Sequence, residues 1–343
     1  MRILQMNNIN EIASIYANDL VRRGHAVTVY EPNLRGGLAP LPVKLALMPE
    51  RIFGLRHIIG SLNPNHYDIV HIHWASYGAI GLVSRLPFIV HCHGTDVRDR
   101  LNQPFFRQGL SLLLKRAAAV LCITPDLLPI VREVRPDVIF APGPVDTMQF
   151  APNGIKPQRL PDSWTILLFA CLDPDKGTET AIQGIVRFVD RHPGVHVKLL
   201  DCGRLKERYR RDYGKRFEFI PLVAPNEVPH LIQEADVVVG QFLAGAMGLS
   251  ELQAMSCAKP VIASFLYDEA YPTPPPLYKA TSPEEVDNHL ENLFQHREEA
   301  IALGNKARDW VISYHDKKAL VAQLETLYES IVGHTREPDL LFS

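Results

Sequence analysis

Residues 245–262 read GAMGLSELQAMSCAKPVI, a glycine-punctuated turn, a short amphipathic helix and a buried strand. Gly245 and Gly248 carry no Cβ, so the backbone there can come close to a bound group. The helix that follows aims its unpaired N–H groups and positive dipole end at the turn, a natural seat for a diphosphate. Glu251 opens this helix and Gln253 follows two residues on, about 200° around the axis and nearly on the opposite face. Ser250 and Gln253 also have the S-x-x-Q spacing of a capping box. A second group lies in FACLDPDKG, where Lys176 and Gly177 precede a helical pattern, and Arg204 follows the strand VKLLDCG. A third is a pair of H-x-H motifs, His71/His73 in HIHW and His91/His93 in HCHGTD, each setting two imidazoles on one strand face. That is metal-ligand geometry, and with Asp96 near it a metal-dependent hydrolase is a remote alternative.

These residues must be placed by short apolar runs that alternate with helical patterns. Strands are expected at MRILQM, AVTVYE, DIVHIH, FIVHCH, AVLCIT and VIFAP, then at TILLFACL, VHVKLLDCG, FEFIPL, DVVVGQF and PVIASF. Helical patterns such as IASIYANDLVRRG, closed by Gly24, separate them. Strands alternating with helices imply right-handed βαβ units and parallel sheets covered on both faces. The stretch APGPVDTMQFAPNGIKPQRLPDSW breaks the series and reads as a linker. The expected fold class is therefore α/β, two doubly wound Rossmann-like domains facing an interdomain cleft. The domains are 1–150 and 151–318, with a C-terminal helix at about 319–343 that can pack back on the first. Ligands of open α/β sheets bind beyond the carboxyl ends of the strands, where all three groups above fall.

The chain of 343 residues is longer than one hydrophobic core usually serves. A net charge of −2 argues against a nucleic-acid partner, and 46 % hydrophobic with 22 % charged residues is ordinary for a soluble protein. No apolar run reaches the roughly 20 residues of a membrane span. The opening MRILQM is already a strand and leaves no room for a signal peptide, so a cytoplasmic protein is expected. The stretch LPVKLALMPERIFGLRHIIGSL, with Lys44, Arg51, Arg56 and His57, reads as a helix packed on the sheet; its alternative is weak peripheral contact with the inner membrane face. The five cysteines have no C-x-x-C spacing and sit in or beside apolar runs, so all are expected to be reduced and buried, with no structural zinc.

The order of motifs resembles the retaining GT-B glycosyltransferases of family 4. RRGHAVTV, FIVHCHGTD, APGPVDTMQF, CLDPDKG, EADVVVGQF and GAMGLSELQAMSCAKPVI follow that family's sequence of motifs over most of the chain. The resemblance implies a retaining glycosyltransferase (EC 2.4 class) that takes a UDP-, GDP- or ADP-linked sugar, needs no cofactor or metal, and acts on an unidentified acceptor. It assigns His93 and Lys176 to catalysis and Gly245, Gly248 and Gln253 to the donor; Glu251, which a loose first turn would bring to the cleft, and Arg204, as a substitute cation, are the further donor-side candidates. Asn7, Asn8, His73 and Asp96 are then expected on the acceptor side; Asn7 and Asn8 equally suit an Asx turn and helix cap. Three departures from the pattern stand out. The carboxylates that the family sets before and after the glycine turn are Gly245 and Gln253 here, and its phosphate-loop arginine is Cys171. An amide can bond a ribose diol with the loss of charge assistance, on the order of 1 kcal/mol. Arg204 and Arg98 are the available substitute cations, and each also reads as a solvated surface arginine. The proline-rich YPTPPPLY replaces the family's glycine-rich loop. These departures also suit an alternative of another class, a non-catalytic GT-B protein that binds a sugar or a partner.

Overall fold

Runs such as Ile69–His73 and Phe88–Cys92 are buried at every position, as expected for strands covered on both faces. The computed structural model describes residues 1–32, 60, 62, 65–152 and 164–336. They form two compact units: the described residues of 1–142 with the last helix, Lys317–Arg336, and those of 143–316.

The first unit is built on a six-stranded sheet of β1 (Arg2–Met6), β2 (Ala26–Tyr30), β3 (Ile69–His73), β4 (Phe88–Cys92), β5 (Ala119–Cys122) and β6 (Ile139–Phe140), in the order β2-β1-β3-β4-β5-β6. Every pairing is parallel. Strand order reverses between β1 and β3, and the carboxyl ends there lead into Asn7 and Trp74. The β3–β4 register sets His73 opposite His91. Ile12, Tyr16 and Leu20 of the helix Ile12–Arg22 share a core with Val321, Leu324, Tyr328 and Val332 of the last helix, Lys317–Arg336. The final helix is thus integral to the first sheet's packing.

The second unit repeats the plan with β7 (Trp164–Leu168), β8 (Val195–Leu200), β9 (Glu218–Ile220), β10 (Val237–Val239), β11 (Val261–Ala263) and β12 (Tyr278–Lys279), in the order β12-β11-β10-β7-β8-β9. All pairings are again parallel. The reversal falls between β7 and β10. Eleven strands lie where the sequence pattern puts them. The twelfth, Tyr278–Lys279, is a two-residue edge strand after the proline run, where proline signals mask it; an edge is where prolines are tolerated beside a sheet. Residues 143–150 belong with this unit. Gly143 O accepts from His315 Nδ1 at 2.9 Å, Val145 pairs with Asp316, and Arg308 Nη2 donates to Thr147 O at 3.2 Å.

LPVKLALMPERIFGLRHIIGSL lies outside the described residues except for Gly60 and Leu62, and no helix among the described residues is long and apolar enough to cross a membrane. The cysteine reading is corrected. Cys92, Cys122 and Cys257 are free and buried, but Cys171 and Cys202 form a disulfide with Cα atoms 5.0 Å apart. The two lie 31 residues apart, so no spacing rule signals the pair; adjacent strand ends β7 and β8 bring them together. Closing a loop of that length removes about 3–4 kcal/mol of chain entropy from the unfolded state. Cys171→Ser, or a thiol reductant acting on the wild type, should lower the melting temperature of the 143–316 unit; an unchanged melting curve under reductant would show that the pair is not formed.

Candidate functional site

The loop after β10 begins with Gly240 and Gln241 and ends at Gly248, the N-cap of the helix Leu249–Ser256. Its shape is set from below by Glu251, which is only 2 % exposed. One carboxylate oxygen accepts from Gln241 N and the other from Gly248 N, both at 2.8 Å. The capping box therefore joins Gly248 to Glu251 rather than Ser250 to Gln253: the third helical residue reaches back to the N-cap N–H, and Gly248 has no side chain to reciprocate. With both oxygens engaged inside the loop, Glu251 positions the backbone and is not presented to a ligand, which corrects its expected place in the donor set. Burial pushes its carboxyl pKa up, and the backbone N–H groups with Lys176 oppose that shift.

Gly245 has φ +63°, a left-handed conformation that favours glycine. Gln241 crosses the loop, donating from Nε2 to Ala246 O at 2.9 Å and accepting from Lys176 Nζ at 3.1 Å. Lys176 is further tied by its carbonyl, which accepts from Phe242 N at 2.8 Å. The next residue, Gly177, has φ +64°, and a Cβ there would meet Leu243 N at 2.9 Å. The two loops at the reversal of the second sheet thus form one assembly holding Lys176, Gly245 and Gly248. Gln253 is half-buried one turn into the helix.

Arg204 stands on the neighbouring loop after β8. It donates to Asp173 at 2.9 Å and Asp175 at 2.7 Å, so its charge is engaged by the carboxylates flanking Lys176, although the side chain remains 63 % exposed. Cys171 cannot supply the arginine charge and is bonded to Cys202 beside this pair. The other candidate cation, Arg98, is paired with Asp126 within the first unit.

In the first unit the four histidines pile together. Ring centroids of His71 and His73 lie 4.2 Å apart, those of His71 and His91 5.3 Å, and those of His91 and His93 4.7 Å, with Tyr16 stacked against the pile. His71, His73 and His91 are fully buried; His93 follows the end of β4 and is partly exposed. His73, expected on the acceptor side, is closed off: Nε2 meets Gln5 Oε1 at 2.8 Å and Nδ1 meets His93 Nε2 at 3.1 Å. Asp96 is likewise withdrawn, accepting from Gly94 N at 2.7 Å, Ala75 N at 2.8 Å and His93 N at 3.0 Å while fully buried. Its short side chain finishes the turn after β4, which is why it is not free for a ligand. Asn7 (φ 72°) donates to His73 O at 2.9 Å, and Asn8 accepts from Ser14 N at 3.0 Å while donating to Ser14 Oγ at 2.8 Å and Glu31 at 2.9 Å. Asn8 therefore takes the local turn-and-helix-start role that its residue type equally allowed.

One nitrogen each from His71, His73 and His91 lies within 4.8 Å of the others. His73 could ligate an ion there only by breaking with Gln5 or His93, and Asp96 has three backbone partners. A hydrolytic metal site also needs a position open to substrate and water, and His71, His73 and His91 are all fully buried. Gln5, Gln241 and Tyr328 do not stand out in the sequence. Gln5 and Gln241 are polar residues in apolar runs, and that lone polarity is their available signal; Tyr328 sits among the apolar positions of an amphipathic helix and carries none.

Residues 15–159 match the profile of Glycosyltransferase Family 4, and residues 164–274 that of Glycosyl transferases group 1, together about three quarters of the chain. The fold matches HepE of Anabaena, solved with UDP and glucose (TM-score 0.74, 15 % identity, 96 % of this chain and 100 % of that one). It also matches sucrose-phosphate synthase of Thermosynechococcus elongatus (0.76, 17 %, 97 % and 100 %). A third match is the catalytic domain of starch synthase IV of Arabidopsis thaliana, bound to ADP and acarbose (0.69, 12 %, 96 % and 99 %). No curated protein matches in sequence. The fold is GT-B, a two-domain α/β architecture. The chain belongs to the group 1 glycosyltransferases, family 4, and is a glycosyl-transferring enzyme of the EC 2.4 class.

The histidine pile carries a pH signature. Burial lowers the pKa of His71, His73 and His93 well below the ordinary 6.5, helped by their mutual repulsion. Burial takes His91 to about 3, with the Ala141 backbone opposing, and His315 of the second unit to about 4, with the Gly143 carbonyl opposing. The unfolded chain takes up these protons below 6.5 while the folded chain does not, so stability is full above 6.5 and falls as pH drops toward 4. Urea unfolding between about pH 7 and about pH 5 should show a slope steeper than the roughly 1.4 kcal/mol per pH unit of a single histidine. A one-histidine slope or less would mean that the pile is hydrated and protonates in place.

Proposed function

We propose that the protein transfers a sugar from a nucleoside-diphosphate donor, UDP-, GDP- or ADP-linked, to an acceptor hydroxyl of a glycan, a lipid-linked sugar or a small molecule. Transfer proceeds with retention of anomeric configuration and without a metal, and a cytoplasmic location is part of the proposal. The observation that carries the reading is the fixed assembly of Lys176, Gln241 and the Gly245–Gly248 turn at the reversal of the second sheet. An ammonium and the N-terminal end of a helix are suited to the charge that grows on a departing diphosphate. Gln253 holds the ribose through its amide, and on the first unit His93 meets the sugar. The UDP named with HepE and the ADP named with starch synthase IV support a nucleotide donor.

A second reading, a non-catalytic sugar- or partner-binding protein, is favoured by one observation. The position of the family's phosphate-loop arginine is a cysteine locked to Cys202. Slow hydrolysis of a nucleotide sugar by the purified protein, with no acceptor present, would exclude it.

Calorimetry with UDP, GDP, ADP and their sugar conjugates should find one base that binds, with weaker binding to Gln253→Ala. Lys176→Ala should lose about 10²-fold or more in turnover, the scale of removing one group that stabilises transition-state charge. Wild-type turnover in Lys176→Ala would overturn the assignment, and no binding of any diphosphate would move the protein to the second reading.

A further inference from the structure

We propose that Gln5, His73 and Tyr328 are positioning residues that hold His93 with its proton on Nε2, so that Nδ1 meets a ligand hydroxyl as a hydrogen-bond acceptor. The inference rests on the reading of His93 as a sugar-contacting residue and adds its tautomer and the residues that impose it.

Donors and acceptors run in a chain from Tyr328 to His93. Gln5 Nε2 donates to the Tyr328 hydroxyl at 3.0 Å, which leaves the single phenolic proton for His71 Nδ1 at 2.6 Å. Gln5 Oε1 can only accept, so its partner at 2.8 Å, His73 Nε2, carries a proton. A neutral imidazole has one N–H, and burial keeps His73 neutral. His73 Nδ1 is therefore bare, and His93 Nε2, 3.1 Å away, must be the donor. His93 is held neutral by the same burial, so its Nδ1 keeps a lone pair.

The alternative for His93 is the Gln5 amide turned over, with its donors and acceptors reversed and the His93 proton moved to Nδ1. The Gln5 amide stands the first way, Nε2 toward Tyr328 and Oε1 toward His73, so the first direction holds through to His93.

The test is nitrogen NMR of the histidine rings in the full-length, ligand-free protein at neutral pH, with the His93 signals assigned by their loss in His93→Gln. The expected pattern is a protonated Nε2 and a bare Nδ1 on His93. Gln5→Leu removes the acceptor that orients His73 and should give a mixed His93 tautomer. Gln5→Glu, which still accepts from His73, should keep the wild-type pattern. A wild-type proton on Nδ1, or an unmixed wild-type pattern in Gln5→Leu, would overturn the proposal. Should Gln5→Leu not fold, Tyr328→Phe, which frees the other end of the Gln5 amide, is read on the same signals with the same two outcomes. Once a donor is in hand, Gln5→Leu should lower kcat/KM about tenfold, the worth of one well-placed hydrogen bond. The spectra need no turnover, so failure of the transferase reading leaves the tautomer result standing, and failure of the tautomer leaves the donor binding intact.

Discussion

A buried carboxylate accepting backbone N–H groups finishes the critical loop in each unit, and the candidate site depends on that constraint. A parallel strand that ends under a covering loop leaves amides with nowhere to donate, and water is not at hand. Asp96 takes three such amides in the first unit and Glu251 two in the second. Each carboxylate is itself expensive to bury, and each is kept by the very donors it satisfies. The consequence is rigidity in the turn after β4, where His93 stands, and in the loop after β10, whose Gln241 accepts from Lys176. A looser backbone would let both side chains wander; a packed apolar substitute would leave orphaned N–H groups.

The same accounting explains the concentration of histidine in the first sheet. His71, His73 and His91 occupy positions that a parallel sheet normally fills with Val or Ile, and neutral imidazoles serve there as flat apolar bodies with two polar points. Tyr328 meets one of those points, Gln5 a second and His93 a third. The core is thereby tuned to a protonation state as well as to a shape, which a purely aliphatic core would not be.

Much of the fold was legible because a parallel sheet writes itself into sequence as repeated short apolar runs. Eleven strands followed from that alone, while Tyr278–Lys279 hid behind Pro272, Pro274, Pro275 and Pro276. The candidate site was legible by residue but not by role. GAMGLSELQ marks the loop, yet spacing cannot tell whether Glu251 faces outward or folds under, since the start of a helix permits both. His73 and Asp96 are polar residues at strand ends, the usual address of a ligand group, and here burial takes them inward. Cys171 and Cys202 were invisible as a pair because their meeting is a property of the β7–β8 register. What sequence lacks in each case is the third dimension of a hydrogen bond: it names donors and acceptors without saying which ones meet.

The last helix, Lys317–Arg336, has a consequence for how the molecule is made. Val321, Leu324, Tyr328 and Val332 lie in one core with Ile3, Ile12, Tyr16, Ile69 and Ile89, residues the ribosome delivers long before them. Synthesis usually lets the domain made first settle first. Here the first sheet stands with one flank bare until Lys317–Arg336 emerges, while residues 143–316 have everything they need beforehand. The order of maturation is reversed: the second unit closes early and the first waits for its last helix, exposing apolar surface for the whole interval. A truncation near residue 320 would leave the first unit unfinished.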